Sequence, residues 1–336
     1  MTRRTVDLGS SRPLLDLVSF GRKGPGRRDQ LSSVDLEHVR RTVDRTPEVM
    51  VKVLSRGGKD AKAVLRHLDY LSRRGDLELQ TDDGERVAGK DAQKTLLGDW
   101  GLDLDGRRRR AGLLPREDSR PPKLVHKLMF SMPAGTPADK LLQAVRNFAT
   151  EEFALQHRYA MVLHTDEPHP HVHMVVKAIN EQGERLNIRK ETLRLWRAEF
   201  ARQLRMLGVP ANATERAVRG ETRTPKLDGI YRAMGRGESS HLRDRVDAVA
   251  DGLVRGGFCR EKGKDRLVAT RAEVVRGWTG IGHLLQQNGE AALASRVRSF
   301  IGEFAPPHTE REIIAEELKR QLASNRSRPR VREYPR

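Results

Sequence analysis

A single cysteine, Cys259, is present in the 336-residue chain. No disulfide can close within it and no cysteine-based zinc site can form, so any bound metal must be held by His, Asp or Glu. Aromatic residues are equally scarce, at 4%. That argues against a base-stacking platform as the main way of holding a single nucleic-acid strand. No run approaches the roughly 18 apolar residues that a membrane span needs. The amino-terminal MTRRTVDLGSSRPLLDL lacks the apolar core of a signal peptide. A cytoplasmic protein with no membrane insertion is the expectation.

Acidic residues are in the minority. Against 46 Asp and Glu stand 64 Lys and Arg, leaving a net charge of +18. Solubility does not require so large an excess. It predicts attraction to a polyanion, nucleic acid first and an anionic membrane surface second. Arginine dominates the cations and suits bidentate contacts to phosphate.

Hydrophobic patterning divides the chain into three parts. Residues 1–48 read as a flexible basic lead, with GRKGPGRRDQLSS at 21–33 rich in glycine and cations. Ordered sequence is expected from Glu48, where VMVKVLS reads as a strand. Ala61, Val64, Leu65, Leu68 and Leu71 then recur at helical spacing, with Gly75 as a stop. Residues 76–85 suggest a short strand and turn, and an arginine-rich stretch follows that includes GRRRRAG at 106–112. KLVHKLMFSM at 123–132 reads as a strand. A helix follows, with Thr136 as its cap and Pro137 in its first position. RYAMVLH and HVHMVVKAI are two strands joined by the tight TDEPHP segment. A basic-faced helix spans about 191–207. Strand, helix, strand, strand, helix describes an α+β fold, a mostly antiparallel sheet with flanking helices. Beyond 216 the pattern is helical and basic, ending in the tail NRSRPRVREYPR.

Five of the eleven histidines fall between 157 and 173. His171 and His173 are two apart on a strand and so share a face. His164 ends the preceding strand, and the hairpin brings it alongside. Three imidazoles converging on one point make a divalent-metal site with positions left open for a substrate. Asp166 could ligate, orient a ligand histidine or accept a proton. His169 has no assigned role.

The segment HTDEPHPHVHMVVKAIN resembles the third motif of the relaxase/mobilisation nuclease family, in its P-type plasmid branch of histidine-hydrophobe-histidine endonucleases. The resemblance implies that His164, His171 and His173 hold Mg²⁺ or Mn²⁺ beside a scissile phosphate. Relaxases attack that phosphate with a tyrosine and stay joined to the 5′ end. Of Tyr70, Tyr159, Tyr231 and Tyr334, Tyr159 falls on the face of its strand opposite His164. Tyr231 lies in a glycine-rich stretch and Tyr334 in the tail. Tyr70 points roughly 150° from the centre of its helix's apolar stripe, at about 100° per residue, beside Arg66 and Arg73. RHLDYLSRRG resembles the family's first motif, with Tyr70 as nucleophile. FSMPAGTP resembles the second, with Ser131 touching DNA.

This likeness covers roughly 49–215, which it marks as a relaxase nuclease domain. It leaves 216–336 as a mainly helical basic accessory region with a disordered tail. The resemblance implies strand-specific nicking and rejoining at the transfer origin of a plasmid or integrative element. Arg66, Arg73 and the metal would favour tyrosinate, and Asp166 or a histidine would take the proton. Arg107 to Arg110, Arg189, Lys190, Arg194, Arg197 and Arg202 are candidate DNA contacts. The implied partners are single-stranded and origin DNA, accessory mobilisation proteins and a type IV secretion coupling protein. Three other readings compete. A rolling-circle replication initiator would use Tyr231 instead. A non-catalytic metal-dependent DNA-binding module is the second, and an intact tyrosine and three intact histidines argue against it. An unrelated three-histidine metallohydrolase would leave the charge and Tyr70 without a role.

Overall fold

The strands KLVHKLMFS, YAMVLH and HVHMVVK carry apolar residues at consecutive positions, and the computed structural model shows why: both faces of the sheet are covered. It describes residues 31–54, 60–89, 91–102, 123–221, 240–256, 261 and 263–326. Six strands form one antiparallel sheet: β1 (Met50–Leu54), β2 (Leu79–Thr81), β3 (Arg86–Val87), β4 (Val125–Ser131), β5 (Tyr159–His164) and β6 (His171–Lys177). Their order is β1-β4-β6-β5-β2-β3. The α+β class and the antiparallel sheet agree with the expectation.

The side-chain period of two sorts the strands into two faces. Phe130 and Leu128 of β4, Val172, Met174 and Val176 of β6, and Tyr159 and Met161 of β5 share one face. Two helices with apolar stripes cover it. Helix α4 (Ala138–Phe153) contributes Leu141, Ala144, Val145, Phe148 and Ala149. Helix α5 (Lys190–Met206) contributes Trp196, Phe200, Ala201 and Leu204. Phe130 meets Phe148 at 5.0 Å and Phe200 at 5.3 Å between ring centroids, within the range of favourable aromatic pairing. The other face carries Val125, Ala160, Val162, Val175 and Leu79. Helix α2 (Ala61–Leu71) covers it with Val64, Leu68 and Leu71, together with Leu96, Trp100 and Leu102 in and after helix α3 (Ala92–Asp99). Asp60 caps α2, its carboxylate accepting from the Ala63 amide at 2.7 Å.

The chain separates into two compact units, Asp44–Ala213 holding the sheet, and Met1–Val43 with Thr214–Arg336. The second unit contains helices α1 (Ser33–Val43), α6 (Ser240–Val254), α7 (Lys264–Gln287), α8 (Ala291–Gly302) and α9 (Glu310–Arg326). Val39 of α1 is fully buried in a cluster with Val274, Trp278, Ile281, Val297 and Phe300. Trp278 donates to the Val218 carbonyl at 2.8 Å.

Three expectations need correction. The flexible lead does not extend to residue 48, because Ser33–Val43 is helical and its apolar edge is buried. Ser32 and Asp35 cap it reciprocally, at 3.1 and 3.2 Å. The helix after β4 starts at Ala138, with Pro137 in the cap position at ψ 121°. The Thr136 hydroxyl donates instead to the Pro133 carbonyl, at 2.9 Å. Helix α2 ends at Leu71, and Gly75 lies in the turn beyond it. Residues 1–30, Arg107 to Arg110, Tyr231, Cys259 and Tyr334 lie outside the described residues.

Candidate metal centre

Strand register builds the histidine cluster. His164 pairs directly with His171 across β5 and β6, and His173 follows two residues along on the same face. The ring centroids lie 5.0–5.2 Å apart. One ligand nitrogen from each can be chosen so that all lie within 4.8 Å of one another. His164 and His171 are buried.

The outer nitrogens of two rings are pinned by backbone carbonyls. His164 Nε2 donates to the Leu71 carbonyl at 2.7 Å, which leaves Nδ1 with a free lone pair. His171 Nδ1 donates to the His169 carbonyl at 3.0 Å, which frees Nε2. Such second-layer bonds fix the tautomer a ligand histidine needs. His173 Nδ1 is buried without a hydrogen-bond partner. Burial, then the neighbouring His164, His171, His67 and Arg73, pushes His173 down to about 3. His164 is also lowered, first by burial. These two rings are therefore neutral near pH 7, the form that binds metal. A buried orphan nitrogen, two carbonyl-set tautomers and an all-imidazole donor set fit a divalent ion.

Tyr70 stands on α2 beside this cluster. Its neighbour Leu71 supplies the carbonyl that His164 binds, while its own side chain is 58% exposed and open to an incoming molecule. The guanidinium carbon of Arg73 lies 5.3 Å from the Tyr70 ring centroid. Arg73 also pairs with Asp166, in the loop two residues after His164. Hydrogen bonding to Tyr70, then partial burial and Asp166, sets the balance that holds Arg73 above its ordinary value. Desolvation works against ionised Asp166, but Arg73 outweighs it and holds the carboxyl below its usual range. Asp166 thus hydrogen-bonds to a guanidinium rather than to one of the clustered histidines.

The other anticipated residues divide. Ser131 pairs with His171 across β4 and β6, on the face of the cluster, and Arg66 is an exposed residue of α2. Arg189 and Lys190 are exposed at the start of α5, whose buried side packs on the opposite face of the sheet. Arg202 is tied to Glu151 and Glu199 at 2.8 and 2.6 Å. Arg197 donates to the Val51 carbonyl at 3.3 Å. His169 accepts from the Ala134 amide at 3.0 Å, so it ties the β5–β6 loop to the loop after β4. Tyr159 is buried in the opposite core.

Two residues escaped sequence reasoning. His67 of α2 has a buried, unpartnered Nε2 and is pushed down to about 4 by burial and then by Lys127. Lys127 of β4 is buried, and desolvation lowers it. Only the even spacing of Lys127, Met129 and Ser131 along β4 could have placed Lys127 on the cluster's face.

Residues 106–206 match the family model "Relaxase: MobA/VirD2-like, nuclease domain". That span contains the three histidines but not Tyr70. The T-DNA border endonuclease VirD2 of Rhizobium radiobacter is 28% identical over 217 residues, 58% of this chain and 48% of that protein. The same-named protein of Agrobacterium fabrum is 28% identical over 223 residues, 58% of this chain and 46% of that protein. That of Rhizobium rhizogenes is 27% identical over 216 residues, 56% and 45% respectively. The chain thus spans about half the length of the curated relatives it matches.

Proposed function

With a MobA/VirD2-like relaxase nuclease domain as the premise, we propose that this protein nicks and rejoins one DNA strand at a transfer origin or border of a mobile element. Tyr70 is the nucleophile in this reading. One observation carries it: the Leu71 carbonyl, next to Tyr70 in the chain, is bound by His164 of the imidazole cluster at 2.7 Å. The tyrosine's backbone is thereby fixed to the centre, while its ring remains accessible.

Tyr70 Oη forms a bond to phosphorus as the P–O3′ bond breaks. The tyrosine hydroxyl gives up its proton, and the departing 3′ oxygen takes one up. The products are a 5′-phosphotyrosyl link and a free 3′-OH. Phosphodiester energy is conserved in the link, so attack by the 3′-OH reseals the strand. A tyrosine hydroxyl ordinarily has a pKa of about 10. Arg73, whose guanidinium carbon lies 5.3 Å from the ring centroid, places a positive charge beside the reacting tyrosine. Asp166 holds Arg73 in that position and, paired as it is, serves as an orienting group before any role as base. His164, His171 and His173 would hold Mg²⁺ or Mn²⁺, which when bound supplies charge neutralisation at the scissile phosphate. In this reading Ser131 and Arg66 contact the strand nearby.

The names of the VirD2 relatives describe endonucleases acting at a T-DNA border. The same class of cut in this protein would serve conjugative mobilisation from the cytoplasm, with accessory mobilisation proteins and a type IV secretion coupling protein as partners. Among the described residues no helix is long and apolar enough to cross a membrane.

The test is a 3′-labelled single strand carrying the element's own origin, incubated with the protein and Mg²⁺ or Mn²⁺ and run on a denaturing gel. A label-bearing protein band that disappears in Tyr70→Phe and with chelator is expected. Survival of the band in Tyr70→Phe and its loss in Tyr231→Phe would replace this reading with a replication initiator.

A further inference from the structure

The chain leaves α2 through an unusual turn. Arg73 and Arg74 both adopt left-handed backbone angles, φ 53° and 62°, and Gly75 follows at φ 95°. Two consecutive side-chain-bearing residues in this region are costly and persist only where the surroundings over-determine them. Here the surroundings are a buried polar node. Ser72 is fully buried. Its hydroxyl donates to the Asp69 carbonyl at 3.3 Å and accepts from the Gly75 amide at 3.2 Å and from Gln93 Nε2 at 2.6 Å. One donor and two acceptor positions are all a hydroxyl has, so the node is saturated. Gln93, buried on α3, reaches it from another element.

Backbone bonds close the same turn. Ser72 accepts from the Leu77 amide at 2.8 Å, and Gly75 accepts from the Gly89 amide at 3.1 Å. A Cβ on Gly75 would lie 2.5 Å from the Gly89 carbonyl carbon, so only glycine admits this approach.

We propose that Gln93 and Ser72 form a positioning clasp that holds the turn after α2 so that Arg73 lies across Tyr70 and reaches Asp166. Among the described residues, neither hydrogen-bonds to His164, His171 or His173. Both act through Arg73, which meets the ring of a residue three positions behind it and pairs with a carboxylate 93 positions ahead. The inference rests on Tyr70 being the nucleophile.

Gln93→Met keeps volume and removes the donor. With the origin strand in excess and Mn²⁺ present, single-turnover adduct formation in the full chain should slow by about 10- to 100-fold, as small misplacements of reacting groups do. Strand affinity should change less than about threefold. Arg73→Ala in the Gln93→Met background should slow the reaction little further, because the two changes remove one effect. Ser72→Ala should reproduce Gln93→Met. Relaxation of the Arg73 side-chain N–H, measured by NMR without DNA, should show order in the wild type that is lost in Gln93→Met.

Retained Arg73 order in Gln93→Met overturns the clasp, as does a full rate or fully additive losses with Arg73→Ala. Absence of any Tyr70-dependent adduct in the wild type overturns the nucleophile assignment instead. The Arg73 order measurement still decides the clasp in that event.

Discussion

His164 and Leu71 are 93 residues apart in the chain, yet the imidazole Nε2 of the first donates to the carbonyl of the second at 2.7 Å. The bond does two things at once. It caps an orphan carbonyl at the end of α2, and it leaves His164 Nδ1 unprotonated at the cluster. The histidine cluster and the helix end that bears Tyr70 are therefore one structural unit.

The first prediction concerns metal. Three converging imidazoles would offer an ion something the unfolded chain lacks, so its binding should stabilise the fold. At a hundredfold excess of Mn²⁺ over its dissociation constant the gain is about 2.7 kcal/mol. For a unit of this size that is roughly 5–10 °C in Tm. Differential scanning fluorimetry should show the rise in the wild type and its loss on chelation. His173→Ala should show none. An equal rise in that variant would place the ion elsewhere.

Much of this centre was legible because its information is local. The alternation His171-Val172-His173 and a short hairpin fix both face and register, and neither depends on distant residues. Long-range partners were not legible. Helix α1 reads as flexible because Leu36, Val39 and Val43 sit among charges, and, Leu31 apart, the buried residues they cluster with lie more than 170 positions away. Helix α3 is short and polar, so no apolar period announced it. Periodicity shows that a helix has a buried side, but not which face of the sheet receives it. For that reason Arg189 and Lys190 were grouped with Arg66 and Ser131.

Lys127 makes the second prediction. It is buried with no ion pair among the described residues, and desolvation lowers its pKa. A folded pKa below the unfolded one means that the ammonium is penalised in the fold. The penalty is fully present below the folded value and relieved as pH rises toward the unfolded value. Lys127→Met should therefore raise stability at pH 7, on the order of 1–2 kcal/mol. The gain should shrink toward pH 10. Urea unfolding at both pH values measures it. A variant less stable than wild type at pH 7 would mean that the cation has a favourable partner.

Phe148 gives a third. Its ring meets Phe130 at 5.0 Å, Phe153 at 5.9 Å and Trp196 at 6.1 Å, and it is fully buried. Truncation to alanine removes the centre of the core that braces β4 and β6 from behind the cluster. The expected loss is about 3–5 kcal/mol, read by urea denaturation of the full chain. A loss below about 1 kcal/mol would show that α4 is not packed on this face as described.

Arg66 and Arg189 supply the last. Both are exposed arginines, and composition alone would rank them equally as DNA contacts. The fold separates them. Arg66 lies one turn before Tyr70 on α2, on the side of the sheet that carries the histidines. Arg189 opens α5, whose apolar stripe packs on the opposite side. A strand held at the cluster can meet the first and not the second. Each phosphate contact to a single strand contributes about 0.7 to the slope of log affinity against log salt. Arg66→Ala should lower that slope by roughly this amount and weaken binding at low salt. Arg189→Ala should leave both unchanged within error. Fluorescence anisotropy with a short labelled origin strand, from about 50 to 200 mM salt, separates the two. If Arg189→Ala produces the larger change, the strand wraps around the sheet rather than lying along one face, and the DNA path must be redrawn through α5.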